Sequence, residues 1–403
     1  MKPELRDKLP NHLVSERNRI LSAYASRCEG DYSFFIRKKV RRMDHPLTPL
    51  VSIVVPCRNE AGHIEVCLRN ILAQDEPPAG RSFEVLVADG MSDDGTRESI
   101  LKRAAHDSRL RLIDNPGRIV STGLNAAISA ASGEIIIRMD AHTEYALDYV
   151  RQCVAVLTET GADNVGGPAC TRAEGYMQRA VCAAYHSPFS VGGARFHNPS
   201  YEGELDTVVY GCWWKATLLR IGVFDEELVR NQDDELNLRL SLNGGRLWQS
   251  PRIKSWYRPR SSFTALFNQY LQYGYWKVRV IQKHKRPASV RHLVPVVFAV
   301  GTTLGWLVGL VHWSLGLVYV GSLILYCLLS LIFSARAAAV SGWDLLPVLP
   351  AVFLTYHFSY GIGFARGILD FVILHRSVCG TMRTLTRPSF ECEQASRLND
   401  SEP

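Results

Sequence analysis

Apolar and polar positions alternate in blocks along the first part of the chain, and the blocks have the lengths of strands and helices. Four strand-like runs come first, and they read LVSIVVP (50–56), SFEVLVAD (82–89), RLRLID (109–114) and EIIIRMD (134–140). Continuous apolar runs of this kind are typical of strands that are buried on both faces. Because helix-like stretches separate them, the pattern predicts a doubly wound, mostly parallel α/β sheet.

Longer apolar stretches follow residue 260. Residues 262–285 are amphipathic, aromatic and basic, which is typical of a helix in a membrane interface. Residues 293–313 and 314–333 are each long enough to cross a bilayer. The chain is therefore predicted to contain, in order, a polar N-terminal arm (1–47), an α/β domain (48–260), an amphipathic interface helix (261–290), a transmembrane region (291–370) and a polar tail (371–403).

A third apolar stretch, residues 343–365, contains prolines and glycines, so it is predicted either to span the membrane or to be broken or re-entrant. Arginines follow this stretch, at Arg366, Arg376, Arg383 and Arg387. The positive-inside rule places such arginines in the cytoplasm, whereas three full crossings from a cytoplasmic domain would place them on the other side. The sequence therefore leaves the number of crossings open.

Positive charge is concentrated just before the first apolar span. The net charge is +7, and the basic residues there are Lys277, Arg279, Lys283, Lys285, Arg286 and Arg291. Beside an apolar span such a run indicates a cytoplasmic membrane border, and no nucleic-acid-binding motif supports a nucleic-acid partner. The ten cysteines form no CxxC pair and the N-terminus has no apolar signal core. These features predict a multi-pass protein of the plasma (inner) membrane with its α/β domain in the cytoplasm.

Acidic residues follow two of the predicted strands, at the sheet edge where ligands bind in doubly wound folds. Asp140 ends an apolar strand and begins the triplet Asp140-Ala141-His142, so these two side chains are candidate metal ligands; the alternative is a turn or helix cap. Asp89 ends the second strand and is a candidate for binding a nucleobase or ribose. Asp93 and Asp94, in the next turn, are interpreted as turn and cap residues.

A second acidic cluster lies at 231–235, where Asn231-Gln232-Asp233-Asp234-Glu235 precedes a helical pattern. Carboxylates at the start of a helix suit its dipole, so one interpretation is an N-cap. A helix cap needs only one carboxylate. Because three consecutive residues carry carboxylates here, at least one of them is available for another role. A general base that takes a proton from an acceptor group is the favoured role.

Five segments together resemble glycosyltransferase family 2 over roughly residues 50–290. They are VSIVVPCRNE (51–60), VADGMSDDGT (87–96), RMDAH (138–142), GVFDEELVRNQDDELNLRL (222–240) and QYGYW (272–276). The D-A-H triplet, the YRPRSS stretch and the Q-Y-G-x-W segment are similar to those of bacterial exopolysaccharide glucosyltransferases of the succinoglycan type. The resemblance implies a GT-A fold and inversion at the anomeric carbon by direct displacement.

The resemblance also implies roles for individual residues. It places Pro56, Asn59, Glu60 and Asp89 around the nucleotide of the donor, Asp140 on Mg²⁺ or Mn²⁺, and Asp233 as general base. Two departures from the family pattern qualify these roles. The D-x-D motif of the family reads D-x-H here, which makes His142 a weaker metal candidate than Asp140. Gln232 replaces the acidic residue before the base, so Asp234 remains a competitor for Asp233.

The third departure lies in the Q-x-x-R-W motif, which here runs from Gln272 to Trp276 with Tyr275 in place of the arginine. Tyrosine cannot supply the charge that the family's arginine brings to the leaving diphosphate. The candidates for that charge are Arg258, Arg260 and Lys277. The arginines flank Pro259, so one of the two is expected to reach the phosphates, while Lys277 is expected to act mainly in membrane binding. An alternative for 272–276 is an aromatic segment that rests on lipid headgroups. The loop 187–200 is predicted to be a lid or an ordinary surface loop.

The resemblance implies transfer of a hexose, with UDP-glucose as the expected donor, to a saccharide carried on a polyprenyl diphosphate. One alternative is a processive polysaccharide synthase, for which two or three membrane helices are too few to build a channel. The other is a catalytically silent membrane scaffold, against which the joint presence of Asp89, Asp140 and Asp233 argues.

Overall fold

The computed structural model describes residues 51–78, 82–287, 289–376 and 382, so the predicted N-terminal arm and most of the polar tail lie outside the described residues. The strands are β1 (Val51–Cys57), β2 (Phe83–Asp89), β3 (Leu110–Asp114), β4 (Ile135–Arg138), β5 (Thr143–Tyr145), β6 (Asn164–Gly167), β7 (Cys170–Thr171), β8 (Gly203–Glu204), β9 (Val209–Trp214), β10 (Leu247–Gln249) and β11 (Ser255–Tyr257). The helices are α1 (Ile64–Leu72), α2 (Thr96–Ala104), α3 (Val120–Ala130), α4 (Tyr149–Thr160), α5 (Tyr176–Tyr185), α6 (Pro188–Val191), α7 (Lys215–Ile221), α8 (Gln232–Leu242), α9 (Phe263–His284), α10 (Val294–Leu304), α11 (Leu307–Val311), α12 (Trp313–Ser341) and α13 (Leu349–Gly367).

The main sheet has eight strands in the order β3-β2-β1-β4-β9-β6-β10-β8. Strands β3, β2, β1 and β4 run parallel to one another, as do β6 and β10. Strand β9 is inserted antiparallel between β4 and β6, and β8 is antiparallel at the edge. The prediction of a doubly wound, mostly parallel sheet is therefore confirmed.

Alternate side chains of the central strands enter two separate apolar layers, one on each face of the sheet. Ile53 and Val55 of β1 join the layer that contains α1 and α4, whereas Val54 joins the layer that contains α3. This alternation follows from the two-residue repeat of a strand. Because both faces are covered, β1 and β4 read as continuous apolar runs.

A smaller sheet of three strands, in the order β5-β11-β7, stands beside the main one. Its register pairs Tyr257 of β11 with Thr143 of β5 and with Thr171 of β7. Strand β5 begins three residues after Asp140, so this sheet brings the segment around Tyr257 next to the end of β4.

Helix α9 forms where the interface helix was predicted, with Ser262 capping its N-terminus by accepting a hydrogen bond from the backbone N–H of Ala265 at 3.2 Å. Its predicted aromatic lipid face requires correction, because Tyr275 and Trp276 are fully buried against α13 and Phe371. Apolar side chains of the same protein cover these two rings, so the rings are shielded from water without contact with lipid. Lipid contact of the exposed side of α9 stays a prediction.

The basic run before the first apolar span also differs from the expectation of a membrane border. Four of its six members form ion pairs with the α/β domain: Lys277 with Asp234, Arg279 with Glu227 at 2.6 Å, Lys283 with Asp225 and Glu227, and Arg291 with Asp206 at 2.8 Å. The positive charge is therefore largely balanced by carboxylates of the same chain. These ion pairs attach the basic run, and with it α9, to the α/β domain.

Within the described residues, two helical segments are long and apolar enough to cross a membrane by length and composition alone. They are Val290–Val311, which contains α10 and α11, and Trp313–Ser341, which is α12. Most of their side chains are exposed, as Val297 and Val318 are at 70% and 69%. Both predicted spans thus correspond to helices, and their passage through a bilayer stays a prediction.

In the third apolar stretch a short helical turn, Trp343–Leu345, precedes one continuous helix, α13, and whether the stretch spans a membrane or is broken or re-entrant stays a prediction. Pro350 lies in the first turn of α13, where proline costs no hydrogen bond. Its glycines permit close contacts with neighbouring helices: a Cβ on Gly361 would lie 2.2 Å from the Pro295 carbonyl oxygen, and one on Gly363 would lie 2.0 Å from the Leu271 carbonyl oxygen. Helix α13 is therefore packed against α9 and α10, with much of its surface buried.

Candidate active site

The turns that follow β1 and β2 are bound together by hydrogen bonds. The backbone N–H of Asn59 donates to Ser92 Oγ at 2.9 Å, and the N–H of Asp93 donates to Asn59 Oδ1 at 3.2 Å. The N–H of Glu60 donates to Thr96 Oγ1 at 2.8 Å. Asn59 has a φ of +53°, a left-handed conformation that asparagine tolerates better than most residues. The Pro56–Glu60 segment is thus fixed beside the end of β2, as its predicted role requires.

Asp89 is fully buried at the end of β2 and accepts hydrogen bonds from its own turn. The donors are the N–H and Oγ of Ser92 and, at 3.3 Å, Nη1 of Arg97. Asp94 accepts from the N–H of Thr96 at 3.1 Å and from the N–H of Ala61 at 3.0 Å, so it is a turn residue that joins the two turns, and Gly95 is the N-cap of α2. The contact of Asp89 with a nucleotide stays a prediction.

One buried arginine joins the predicted metal ligand to the predicted base. Arg138, only 4% exposed, donates from Nε to Asp140 Oδ1 at 2.7 Å and from Nη2 to Asp140 Oδ2 at 3.0 Å. Its Nη1 donates to Asp233 Oδ1. A single guanidinium therefore holds two carboxylates that are far apart in the sequence. Sequence reasoning missed this residue, although an arginine inside the apolar run IIIRM signals an acidic partner.

The acidic run at 231–235 is divided among three cationic partners. Asp233 binds Arg138, Asp234 binds Lys277, and Glu235 accepts from Arg239 at 2.9 Å. All three carboxylates lie in the first turn of α8, where the helix dipole favours negative charge. Glu235 thus forms an ion pair within the same helix, and Asp233 and Asp234 remain as candidates for catalysis.

Asp233 and Asp234 differ in the direction in which their surroundings shift the pKa of the carboxyl group. Burial raises the pKa of Asp233 above its ordinary value, with Asp140 and Asp234 adding to the rise and Arg138 opposing it. Burial acts on Asp234 in the same direction, but Lys277 outweighs it and holds the pKa of Asp234 below its ordinary value. A carboxylate with a raised pKa accepts a proton more readily, so Asp233 is the better base. Its side chain is 38% exposed to the cavity described below.

Asp140 and His142 both face this cavity, and they are the side chains that would hold a divalent cation. His142 is 37% exposed at its side chain and places Nδ1 3.7 Å from Glu60 Oε1. No cluster of three or more metal-binding side chains occurs among the described residues. Two protein donors fit Mg²⁺ or Mn²⁺, which complete their shells with substrate phosphates and water.

A cavity of about 550 Å³ connects the candidate catalytic residues to the apolar helices. Its lining includes Arg138, Asp140, His142, Asp233 and Asp234, and it also includes Val294 and Pro295 of α10 and Tyr356, His357 and Tyr360 of α13. The loop 187–200 contributes one wall, and the Phe189 ring is stacked on Phe333 with centroids 5.1 Å apart. The loop is thus anchored to α12 and differs from an ordinary surface loop. Pro56, Asn59, Glu60 and Asp89 lie outside this lining, in the neighbouring turns.

Comparison with known proteins decides the family. Residues 52–226 match the profile of glycosyl transferase family 2. The succinoglycan biosynthesis protein ExoA of Rhizobium meliloti (strain 1021) is 32% identical over 328 residues, which cover 79% of this chain and 95% of that protein. The chain belongs to glycosyltransferase family 2. The resemblance inferred from the sequence motifs is thereby confirmed.

Two further proteins extend the comparison. One is the dolichyl N-acetyl-alpha-D-glucosaminyl phosphate 3-beta-D-2,3-diacetamido-2,3-dideoxy-beta-D-glucuronosyltransferase of Methanococcus voltae, 27% identical over 79% of this chain and 97% of that protein. The other is the solved structure of the mannosyltransferase PcManGT from Pyrobaculum calidifontis in complex with GDP-Man and Mn²⁺. It superposes with a TM-score of 0.51 at 19% identity, covering 79% of this chain and 87% of that one. This likeness supports the GT-A fold of the family 2 domain.

In the Q-x-x-R-W segment of this family 2 member, Tyr273 lines the cavity, whereas Gln272, Tyr275 and Trp276 are absent from the lining. The Tyr275 hydroxyl donates to the buried Asp370 carboxylate at 3.3 Å, so it points away from the cavity. Gln272 Oε1 accepts from Nε of Arg230, a lining residue, at 3.2 Å. In this structure the three residues are buried and support the wall from behind, and their expected contact with an acceptor or with the membrane interface stays a prediction.

Two of the three predicted sources of the positive charge that Tyr275 lacks lie in the cavity wall. Arg260 and Lys277 line it, whereas Arg258 lies outside, paired with Glu144 at 2.6 Å and Glu174 at 2.9 Å. Arg260 Nε is buried without a hydrogen-bond partner among the residues that the structure describes. One arginine of the pair that flanks Pro259 thus lines the cavity, and Lys277 is buried in the same wall; contact of Arg260 with phosphates stays a prediction, as does the membrane role expected of Lys277.

Proposed function

We propose that this family 2 enzyme transfers a hexose, with inversion, from a nucleotide diphosphate sugar to a saccharide carried on a polyprenyl diphosphate. UDP-glucose is the proposed donor, and the cytoplasmic face of the plasma membrane is the proposed location. The observation that carries the proposal is the cavity, because its lining includes both Asp140 and Asp233 and the first residues of the first apolar helix, Val294 and Pro295. A donor from the cytosol and an acceptor from the bilayer can meet in such a space.

The residues of the chain divide the chemistry between them. Asp140 and His142 would hold Mg²⁺ or Mn²⁺, which when bound neutralises the charge of the leaving diphosphate. Asp233 accepts the proton of the acceptor hydroxyl as that oxygen bonds to the anomeric carbon and the bond from this carbon to the diphosphate breaks. Arg138 fixes the orientation of both Asp140 and Asp233. Arg260, with its unpaired Nε, donates to the diphosphate oxygens.

The relatives support the same assignment. ExoA takes part in succinoglycan biosynthesis, which supports a role in exopolysaccharide or glycan assembly. The name of the Methanococcus voltae enzyme describes a sugar acceptor on a dolichyl phosphate, which supports a lipid-carried acceptor. The mannosyltransferase complex holds a nucleotide sugar together with Mn²⁺, which supports a divalent cation at Asp140.

A panel of nucleotide sugars tests the proposal. The full chain, purified in detergent, is incubated with each donor, Mg²⁺ or Mn²⁺, and a lipid extract that contains polyprenyl-linked saccharides, and released nucleotide is measured. We expect the highest release with UDP-glucose, loss of release in excess chelator, and a sugar-bearing lipid as product. Asp140→Ala serves as the inactive control and His142→Ala should be milder, since water can replace an imidazole ligand.

The same assay separates the alternatives. Addition of one sugar per acceptor supports the proposal, whereas a long chain per initiation would indicate a processive synthase. Release no higher than that of Asp140→Ala with every donor would indicate a silent scaffold and would contradict the proposal.

A further inference from the structure

Several buried polar atoms along the cavity wall have no hydrogen-bond partner among the described residues. They are Ser190 Oγ, His197 Nδ1, Gln232 Oε1, Arg260 Nε, His292 Nδ1 and the Tyr360 hydroxyl. Buried polar groups are usually paired, because an unpaired one loses its hydrogen bonds to water without compensation. Their concentration in one cavity indicates that a polar ligand completes it.

Two of these atoms lie at the end of the cavity next to the apolar helices. His292 ends the short helical turn that precedes α10, and Tyr360 belongs to α13. The helices touch at this level, because a Cβ on Gly274 of α9 would lie 2.0 Å from the Tyr360 carbonyl oxygen, and Gly361 meets Pro295 of α10 in the same way. The two unpaired groups are therefore held by three packed helices.

Two cations complete this group, which we call the border cluster: Lys277, Arg291, His292 and Tyr360. Lys277 and Arg291 both line the cavity, and both lie close enough to His292 to act on its charge, as Asp234 does with the opposite sign. Each cation already has one carboxylate partner, Asp234 for Lys277 and Asp206 for Arg291. An ammonium has three N–H donors and a guanidinium five, so both retain donors for a second anion.

An apolar groove of about 350 Å³ adjoins the border cluster. It is lined by Val290, Leu293, Val294, Val297 and Phe298, and Val294 also lines the main cavity. These positions follow the i, i+3, i+4, i+7, i+8 spacing that puts side chains on one helix face. Val290 and Val297 remain 73% and 70% exposed, so the groove is open along the outside of the helix. A ligand that fills both spaces must be anionic at one end and apolar at the other.

We infer that the border cluster and this groove together form the binding site for a prenyl diphosphate. The diphosphate accepts hydrogen bonds from His292, Tyr360, Lys277 and Arg291, and the first isoprene units lie against Val297 and Phe298. This inference rests on the proposed function, since it names the part of the protein that holds the lipid end of the acceptor. The saccharide then occupies the remaining space of the cavity, whose lining includes Asp233.

Binding of farnesyl diphosphate to the full chain in detergent micelles tests the inference. The measurement is made in chelator and in the presence of UDP, so that the donor site does not hold the probe. Inorganic diphosphate, farnesol and micelles doped with phosphatidylglycerol are the comparison ligands. We expect farnesyl diphosphate to bind at least about tenfold more tightly than inorganic diphosphate or farnesol, and phosphatidylglycerol not to displace it.

Variants assign the two halves of the site. Tyr360→Phe removes one hydroxyl and should weaken farnesyl diphosphate binding about tenfold, as expected for a hydrogen bond to a charged group. Phe298→Ala should weaken farnesyl diphosphate but leave inorganic diphosphate unchanged. Tyr176→Phe is the matched control, because that exposed tyrosine bonds to the Asp344 carbonyl oxygen away from the cavity and its removal should change neither affinity.

Two outcomes would overturn the inference. The first is binding of farnesyl diphosphate that Tyr360→Phe and His292→Ala both leave unchanged. The second is displacement of the probe by phosphatidylglycerol, which would indicate a general site for lipid headgroups. Donor hydrolysis by the same preparation distinguishes the two proposals: hydrolysis without prenyl diphosphate binding rejects this site alone, and absence of any donor turnover rejects the proposed function.

Discussion

The neighbouring residues Asp233 and Asp234 allow a matched test of the general base, because the same isosteric change can be made at each. We expect Asp233→Asn to lower kcat by about 10²- to 10⁴-fold, the usual contribution of a general base. That loss corresponds to about 3 to 5 kcal/mol of activation free energy. Nucleotide affinity should stay nearly unchanged, because the base acts on the acceptor in the transition state.

The structure sets the size of the accompanying change in stability. In Asp233→Asn the amide oxygen can still accept from Arg138, and Arg138 retains its two bonds to Asp140, so the free energy of unfolding should fall by no more than about 1 kcal/mol. In Asp234→Asn the buried ammonium of Lys277, 7% exposed, loses its counter-charge. This should cost about 1 to 3 kcal/mol of stability while kcat falls less than about tenfold.

The pH profile adds a third measurement. The acid limb of kcat/KM reports protonation of the base in the free enzyme. The pKa of Asp233 is raised by burial and, in part, by the charges of Asp140 and Asp234, so this limb should lie above the ordinary range of an aspartate. Asp234→Asn removes one of those negative charges and lowers the pKa of Asp233. Its acid limb should therefore move to lower pH.

Initial rates with UDP-glucose, calorimetric titration with UDP and thermal unfolding in detergent give the three quantities. The reasoning is refuted if Asp234→Asn is the variant that loses 10²-fold or more in kcat while Asp233→Asn remains active. It is also refuted if Asp233→Asn no longer binds UDP, since Asp233 would then belong to the nucleotide site.

Three further predictions concern the metal, the diphosphate contact and the helix packing. Asp140→Ala should abolish turnover and Mn²⁺ binding in the presence of UDP, measured by the electron paramagnetic resonance of free Mn²⁺; full activity in excess chelator would contradict this. Arg260→Ala should lower kcat at least about tenfold in micelles, whereas Arg258→Ala, whose guanidinium is paired outside the cavity, should stay within about twofold; equal rates would exclude Arg260 as the diphosphate contact. Gly274→Ala, whose Cβ would lie 2.0 Å from a carbonyl oxygen of α13, should lower the unfolding free energy by about 1 to 3 kcal/mol. Gly321→Ala, where a Cβ meets no described atom within 4 Å, is its control and should be neutral or stabilising in thermal unfolding.

The sheet and its ligand-binding edge were predictable because both depend on local pattern. Strands β1 and β4 are largely apolar and buried, and parallel strands bring their carboxyl ends to one edge of the sheet whatever their order. Asp89 and Asp140 could therefore be assigned to that edge from the sequence. Strand β9 was not predicted, although its residues Val209–Trp214 are largely apolar, because its antiparallel place between β4 and β6 depends on pairing across the sheet.

Two features of the structure could not be predicted from the sequence, because they depend on contacts between residues that are far apart in the chain. The basic run from Lys277 to Arg291 suggested a membrane border, because its acidic partners, such as Asp206, lie far away in the chain. Similarly, Tyr275 looked like a defect in a catalytic motif, but its hydroxyl bonds to Asp370 and its ring is buried. Neither interpretation could be corrected without the packing of α9 on α13.

Arg138 shows how one such long-range pair shapes the site. Its guanidinium is almost completely buried, so it requires nearby negative charge to offset its desolvation. Asp140 and Asp233 supply that charge, and in return both carboxylates are held in place before any substrate arrives. In the proposed reaction Asp140 serves the donor and Asp233 the acceptor, so one buried cation would set the spacing between these two carboxylates. The sequence alone does not explain why Arg138 lies in an apolar strand. The folded chain explains it, because Arg138 binds two carboxylates there.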